Sequence, residues 1–249
     1  MNAEKRGQVT LFIILAMVIV IILAVVFYVV SRTSSSLGSY EEDKAFVDGQ
    51  IGSVRAFVVK CVEKQVSSDV KLLLQNGGKS AIEPIARPYQ GASVNYLLYD
   101  GMNTMNLRSE IGRRISLQVE EKLKNDCSLS SFKEVNPKPE IRRMEVDTLI
   151  LDDSVRVDLT YPITLKKGSY QTTIEDFQIN VLTDFGRLYR TADTIISQEV
   201  QGGAFDVVEY TTLFPEIRTK KDALSAKEHV YVISTEEGDE FLIFATKLP

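Results

Sequence analysis

The sequence predicts an α+β protein: an N-terminal transmembrane helix, then helices, then a mostly antiparallel β-sheet completing an exterior domain. Three observations carry this. The twenty residues Leu11 to Val30 hold no charge, no Pro and no Gly. From about Lys44 to Gln75, and again from about Arg108 to Cys127, apolar side chains recur at three- and four-residue steps, a helical period. Beyond Pro137-Lys138-Pro139 they recur at every second residue, the period of a strand buried on one face.

The apolar run comes first. At 1.5 Å per residue it makes roughly 30 Å of helix, the thickness of a bilayer's hydrocarbon core. Lipid offers no partner for backbone N–H and C=O groups, so a run of this kind is helical despite its many β-branched residues. A cleaved secretory signal has a shorter apolar stretch ending in small residues. This one exits through Phe27-Tyr28-Val29-Val30, then Ser31-Arg32. Tyr28 and Arg32 read as interfacial anchors, an amphipathic ring and a snorkelling cation. Leu11 to Val30 is therefore expected to stay in the lipid bilayer. Lys5 and Arg6 precede the run, and Glu41, Glu42 and Asp43 follow it. Retention of cations on the cytoplasmic side predicts a single-pass protein of the cell membrane, its N-terminus cytoplasmic and its C-terminal domain extracellular.

Lys5-Arg6-Gly7-Gln8-Val9-Thr10-Leu11 resembles the class III signal of archaeal type IV pilin-like proteins, in which a basic leader and a Gly precede a Gln that opens the apolar helix. The resemblance implies that a prepilin-peptidase-like enzyme cuts between Gly7 and Gln8 and leaves the helix on the mature chain. It also implies self-assembly or contact with other surface proteins. One residue departs from the pattern. Bacterial pilins usually carry Glu at the fifth mature position, where this chain has Phe12.

The expected organisation is a basic leader over 1–7, the transmembrane helix over 8–32 and a spacer over 33–43. A helical part over 44–136 and an antiparallel sheet over 137–249 make up the exterior domain. Ser34-Ser35-Ser36 and Gly38 mark the spacer. Pilins carry the first helix straight into the head, so a break there favours a second reading: an uncleaved single-pass protein whose exterior domain is a ligand-binding or accessory module of a membrane complex.

Val47, Ile51, Val54, Val58, Cys61 and Val62 predict an amphipathic helix from Lys44 to Gln75, closed by Asn76-Gly77-Gly78. Ile111, Ile115, Val119, Leu123 and Cys127 predict a second, from Arg108 to Asn125. Cys61 and Cys127 each continue an inward face. In an exterior domain an even pair reads as a disulfide, with two free buried thiols as the alternative. Zinc would need further ligands, and the chain has one histidine, His229. Between the helices, Ala81 to Asn106 contains Pro84, Pro88 and Asp100-Gly101 and reads as loop with a short hairpin.

In the second half, Val155, Val157, Leu159, Tyr161, Ile163 and Leu165 alternate as one strand. Neighbouring strands are expected near 141–151 and 170–182, with an edge or bulge at Pro162 and a bulge at Glu175-Asp176. A helix near 186–200 precedes a Gly202-Gly203 break. A hairpin follows, Val230–Ser234 and Phe241–Thr246, turning at Glu237-Gly238-Asp239. The segments "FVVKCVEKQV" (57–66), "NYLLYDGMN" (95–103), "KNDCSL" (124–129) and "LTYPITLKKG" (159–168) resemble a set of uncharacterised, membrane-anchored archaeal proteins.

Chemistry is sparse. Net charge −5 and a pI near 5.2 argue against nucleic acid as a partner. Gly78-Lys79-Ser80 looks like the end of a P-loop, but Leu73 stands where the first Gly belongs and the glycines close a helix. A single histidine rests any Ser-His-Asp triad on His229. Asp152-Asp153 and Glu236-Glu237 flank turns, the usual place for such acids. No catalytic residue, metal or cofactor is expected, and no Asn-x-Ser/Thr acceptor is encoded. The function that follows is a pilin-like structural or protein-interaction role at the cell surface.

Overall fold

The computed structural model describes residues 4–202, 205–236 and 239–249; within the first helix the side chains of 4–12 and 30–38 lie outside the description. The chain is α+β, as its periodicities predict, with two β-sheets built on one long helix.

That helix, α1 (Glu4–Gln75), runs unbroken for 72 residues. The expected spacer over 33–43 is helical, which corrects the reading of Ser34-Ser35-Ser36 and Gly38 as a break. The reason is cooperative. Ser and Gly each cost a helix interior up to about 1 kcal/mol, whereas stopping and restarting the helix costs a second nucleation. Good helix on both sides carries the weak stretch.

From residue 44 onward α1 is the spine of the head. Val47, Val54, Val58, Val62, Val66, Val70 and Leu73 are all at most 4 % exposed and form one stripe down the helix. Ile51 and Cys61 of the predicted stripe are half-buried and pack against the same core. Each buried Val is worth roughly 1.5 kcal/mol or more relative to exposure, so the stripe fixes the helix against both sheets. The helix ends where Gly78 N–H reaches back to the Leu73 carbonyl at 2.7 Å. Asn95, fully buried, then pins the exit loop: its amide donates to the carbonyls of Asn76 and Ala81 and accepts from Glu83 N–H.

The first sheet holds β4 (Lys138–Pro139), β5 (Glu145–Ile150), β6 (Ser154–Lys167) and β7 (Tyr170–Leu182). β6 is central and antiparallel to the other three. Every odd residue from Val155 to Leu165 is buried, as the alternation requires. The β6–β7 register shifts between Thr160 and Ile163, opposite Glu175. The bulge expected at Pro162 and at Glu175-Asp176 is thus one irregularity, lying in a central strand and not at an edge.

The second sheet departs from expectation. Its order is β1 (Ala86–Tyr89), β2 (Ala92–Tyr99), β10 (Phe241–Lys247), β9 (Glu228–Thr235), β8 (Ile217–Ala223), with β3 (Met102–Asn103) also paired to β2. The segment read as loop with a short hairpin, 81–106, supplies three strands: β2 and β3 pair antiparallel across Asp100-Gly101, β1 pairs antiparallel with β2, and β2 lies parallel to β10. No boundary falls at 136/137, because strands from both sides share this sheet. Residues 94–98 are buried consecutively, so β2 shows no alternation to announce it. The Gly202-Gly203 break and the Glu237-Gly238-Asp239 turn fall partly on residues outside the description.

α2 (Arg108–Asn125) lies along β5 and crosses α1. α3 (Phe185–Val200) covers β9 and β10, and the short α4 (Val207–Leu213) sits on β8. One hydrophobic core joins all these layers.

Between α1 and α2 sits one charge that the packing disfavours. Asp69 is 7 % exposed, accepts from Gln65 Nε2 at 2.9 Å, and lies 3.0 Å from the Gln118 amide nitrogen when that amide is turned toward it. Burial, opposed by the Gln65 hydrogen bond, pushes its pKa up to about 6. The folded state therefore holds a proton that the unfolded chain releases nearer pH 4. This contribution to stability is full at low pH and is lost as pH rises from about 4 to about 6. Asp69→Asn should raise stability at pH 7.5 by about 1–2 kcal/mol and flatten that slope. Denaturant titrations of both proteins across pH 4–8 measure it.

Candidate functional site

The functional candidate is α1 itself, with its exposed apolar half and the junction that carries it into the head. From Ile13 to Phe27 every large apolar side chain is exposed, between 45 % at Val18 and 77 % at Phe27. Consecutive positions such as Ile19, Val20, Ile21 and Ile22 point in all directions around the helix, so this half is apolar all round. Tyr28 is also exposed, at 59 %. Among the described residues no helix is long and apolar enough to cross a membrane. The ends of the predicted span, Leu11 and Val30, have side chains outside the description, as do Gly7, Gln8 and Arg32. The processing site and one of the two interfacial anchors are therefore not placed.

At the junction the β6–β7 hairpin clasps the helix as it leaves the head. Tyr40 meets Tyr170 edge to face with centroids 5.6 Å apart, and the Tyr170 hydroxyl donates to Asp48 at 3.2 Å. Lys167 Nζ stands 3.2 Å over the Phe46 ring. Gly168, at φ 51° in the turn, leaves room for the Asp43 carboxylate directly over its backbone. Further along, Arg55 donates to the Asp176 carbonyl at 2.6 Å and lies over the Phe177 ring.

The structure brings Cys61 and Cys127 to disulfide distance, with Cα atoms 6.3 Å apart. Cys61 is mid-way along the spine and Cys127 follows the last turn of α2, so the bridge staples the two helices.

The remaining chemical candidates resolve into structural contacts. Lys79 is buried and pairs with Glu83 at 2.7 Å and Thr104 at 3.3 Å, and the glycines before it close α1. Asp152 holds Arg190 at 2.7 Å and Arg108 at 3.4 Å, tying the β5–β6 turn to α2 and α3. His229, the second residue of β9, is half-buried. Its Nδ1 lies 3.2 Å from Glu199, a fully buried acid on α3 that the sequence reading missed. Glu199 also accepts from the Tyr231 hydroxyl at 2.6 Å and faces Lys221 at 3.5 Å. Burial first, and then Lys221, lower the His229 pKa, while burial and Glu199 raise that of Tyr231. His229 faces the Glu199 carboxyl group and not a serine or cysteine nucleophile. Only the helical position of Glu199 on the inward face of α3 could have signalled it. Among the described residues no group of three or more His, Cys, Asp and Glu side chains is placed to hold a metal ion.

A cleft of ≈ 370 Å³ lies between α1, the end of β7 and the start of β10, with Val70, Lys71, Leu182 and Phe241 on its walls. No family model matches the chain, and no curated protein or solved structure matches it either.

Proposed function

We propose that the chain is a membrane-anchored, extracytoplasmic surface protein with a pilin-like structural or protein-interaction role. Residues 11–30 lie in the bilayer, Lys5 and Arg6 stay on the cytoplasmic side, and the α+β head is displayed outside. A prepilin-peptidase-like enzyme removes residues 1–7 between Gly7 and Gln8. The supporting observation is that one helix, without a break, is both the exposed apolar rod and the spine of the head. The continuity of α1 through 33–43 takes away the reason for preferring an uncleaved accessory module. Phe12, in place of the pilin Glu, is what still favours that second reading, in which the anchored chain acts as a discrete membrane-bound species.

Expression in a host with a prepilin-type peptidase tests the proposal. The protein should stay in the membrane fraction until detergent is added, and intact-mass measurement should find a mature chain beginning at Gln8. A chain that keeps its leader favours the accessory-module reading. Full-length protein in the soluble fraction without detergent overturns both. As an internal check, Ile19→Arg with Ile22→Arg should shift the chain out of the membrane, since each Arg costs about 2.5–3.5 kcal/mol at the centre of a span.

A further inference from the structure

A sheet edge left without a neighbouring strand is a template for another strand, and among the described residues the edges of this fold differ in what guards them. β5 is covered by α2, close enough that Gly112 abuts the Thr148 carbonyl. β8 carries Arg218, Lys220 and Lys221, and β1 carries Arg87 and Pro88, residues that discourage pairing. β4 is two residues long. β7 packs against α1 as β5 packs against α2, but it is 13 residues long, pairs among the described residues only with β6 and contains neither Lys, Arg nor Pro.

Alternation along the strand says which of its backbone groups are free. In the distal half Phe177, Ile179 and Val181 turn their side chains inward, and in a strand such residues share one direction for N–H and C=O. The Asp176 carbonyl points away from β6, since Arg55 on α1 reaches it. Asp176, Gln178, Asn180 and Leu182 therefore present backbone to the open edge, and all four are exposed. Arg55 occupies the first. Among the described residues no side chain bonds the backbone of the other three.

We propose that Gln178–Leu182 of β7 pairs antiparallel with the same stretch of a second copy of this chain. The stretch suits a self-match because it is uncharged. In an antiparallel pair centred on Asn180, the two Asn180 residues face each other and Gln178 faces Leu182 of the other copy. Leu182, 80 % exposed in the single chain, gains a neighbour, and no like charges meet. The acids Glu175 and Asp176 fall outside the paired stretch. Centring the pair on them would set carboxylate against carboxylate, which fixes the register toward the strand's end.

The direction of β7 gives the pairing its setting, and this part rests on the membrane reading. α1 and β7 run the same way: Asp48 is beside Tyr170, Arg55 beside Asp176, and Val70 and Leu74 beside Val181 and Leu182. The open stretch is thus at the end of the strand farthest from the apolar rod. Two heads joined there lie antiparallel, with their rods pointing apart, so the pair bridges two facing membranes.

Sedimentation of the full-length protein in detergent micelles tests the pairing without depending on membrane topology. The wild type should show a concentration-dependent monomer–dimer equilibrium. Asn180→Lys and Asn180→Glu should each weaken it at least tenfold, because position 180 meets itself, and mixing the two variants should restore it. Asn180→Pro removes an N–H that β6 does not use, so it should abolish the dimer and leave the melting temperature within a few degrees of wild type. A wild type that stays monomeric throughout overturns the proposal. So does a mixture no tighter than either charged variant alone. Vesicles carrying the wild type should also cluster, and vesicles carrying Asn180→Pro should not.

Discussion

Replacing Cys61 and Cys127 together by serine will lower the stability of the head by roughly 4 kcal/mol. The bridge closes a loop across a sequence separation of 66, and the chain-entropy model assigns about that much to a loop of this size. For a head of this length the loss corresponds to a fall of roughly 10 °C in melting temperature. Thermal melts of full-length protein in detergent measure it, with the wild type melted in the presence and absence of reductant. Reduced wild type should approach the double variant, and the variant should be indifferent to reductant. If oxidised wild type and variant melt together, the two sulfurs are not bonded in the folded protein.

Gly186→Ala will destabilise the chain by about 3 kcal/mol, towards the upper end of what overpacking does. A Cβ at Gly186 would run into the Leu151 carbonyl oxygen, with the Asp152 Cα 3.2 Å away. These are backbone atoms of the β5–β6 turn and cannot rotate aside like a flexible side chain. The first turn of α3 would have to lift, and Arg108, which donates to the Gly186 carbonyl at 2.8 Å, would lose its partner. Gly49 and Gly52 provide the contrast. Both lie on the exposed side of α1 with nothing within 4 Å of an added Cβ, so alanine at both should stabilise by about 1 kcal/mol. Denaturant unfolding of the three proteins would show the opposite signs.

The elements that could be read from the sequence are those whose side chains keep a period. Arg108–Asn125 and 170–182 are found within their predicted bounds because one face of each is buried and the other is wet. β2 lost its period because both of its faces are covered, and a run such as Val94-Asn95-Tyr96-Leu97-Leu98 then looks like no particular element. Its boundaries were visible in Gln90-Gly91 and Asp100-Gly101. Its parallel partner β10, some 150 residues later, was not, because register between distant strands leaves no local trace. The continuity of α1 was missed for a different reason. Helix propensity is a weak local preference, and at Ser34-Ser35-Ser36 and Gly38 the long helices on either side outweigh it. Of the candidate site, the apolar run and the cysteine pair were legible. The clasp of Tyr40, Phe46, Tyr170 and Lys167 was not, because it joins two stretches more than a hundred residues apart.

The placement of Cys61 on the spine has a mechanical consequence. Tension applied at the N-terminal end of α1 enters the head as shear along the valine stripe, and it must strip the helix from β7 turn by turn. When the peeling front reaches residue 61, the load leaves the helix through a covalent link and passes into α2. Val62, Val66, Val70 and Leu73 are then shielded from the pull. Under force the head should yield first over residues 40–60 and then stop, with the half of the molecule farthest from the point of attachment still folded.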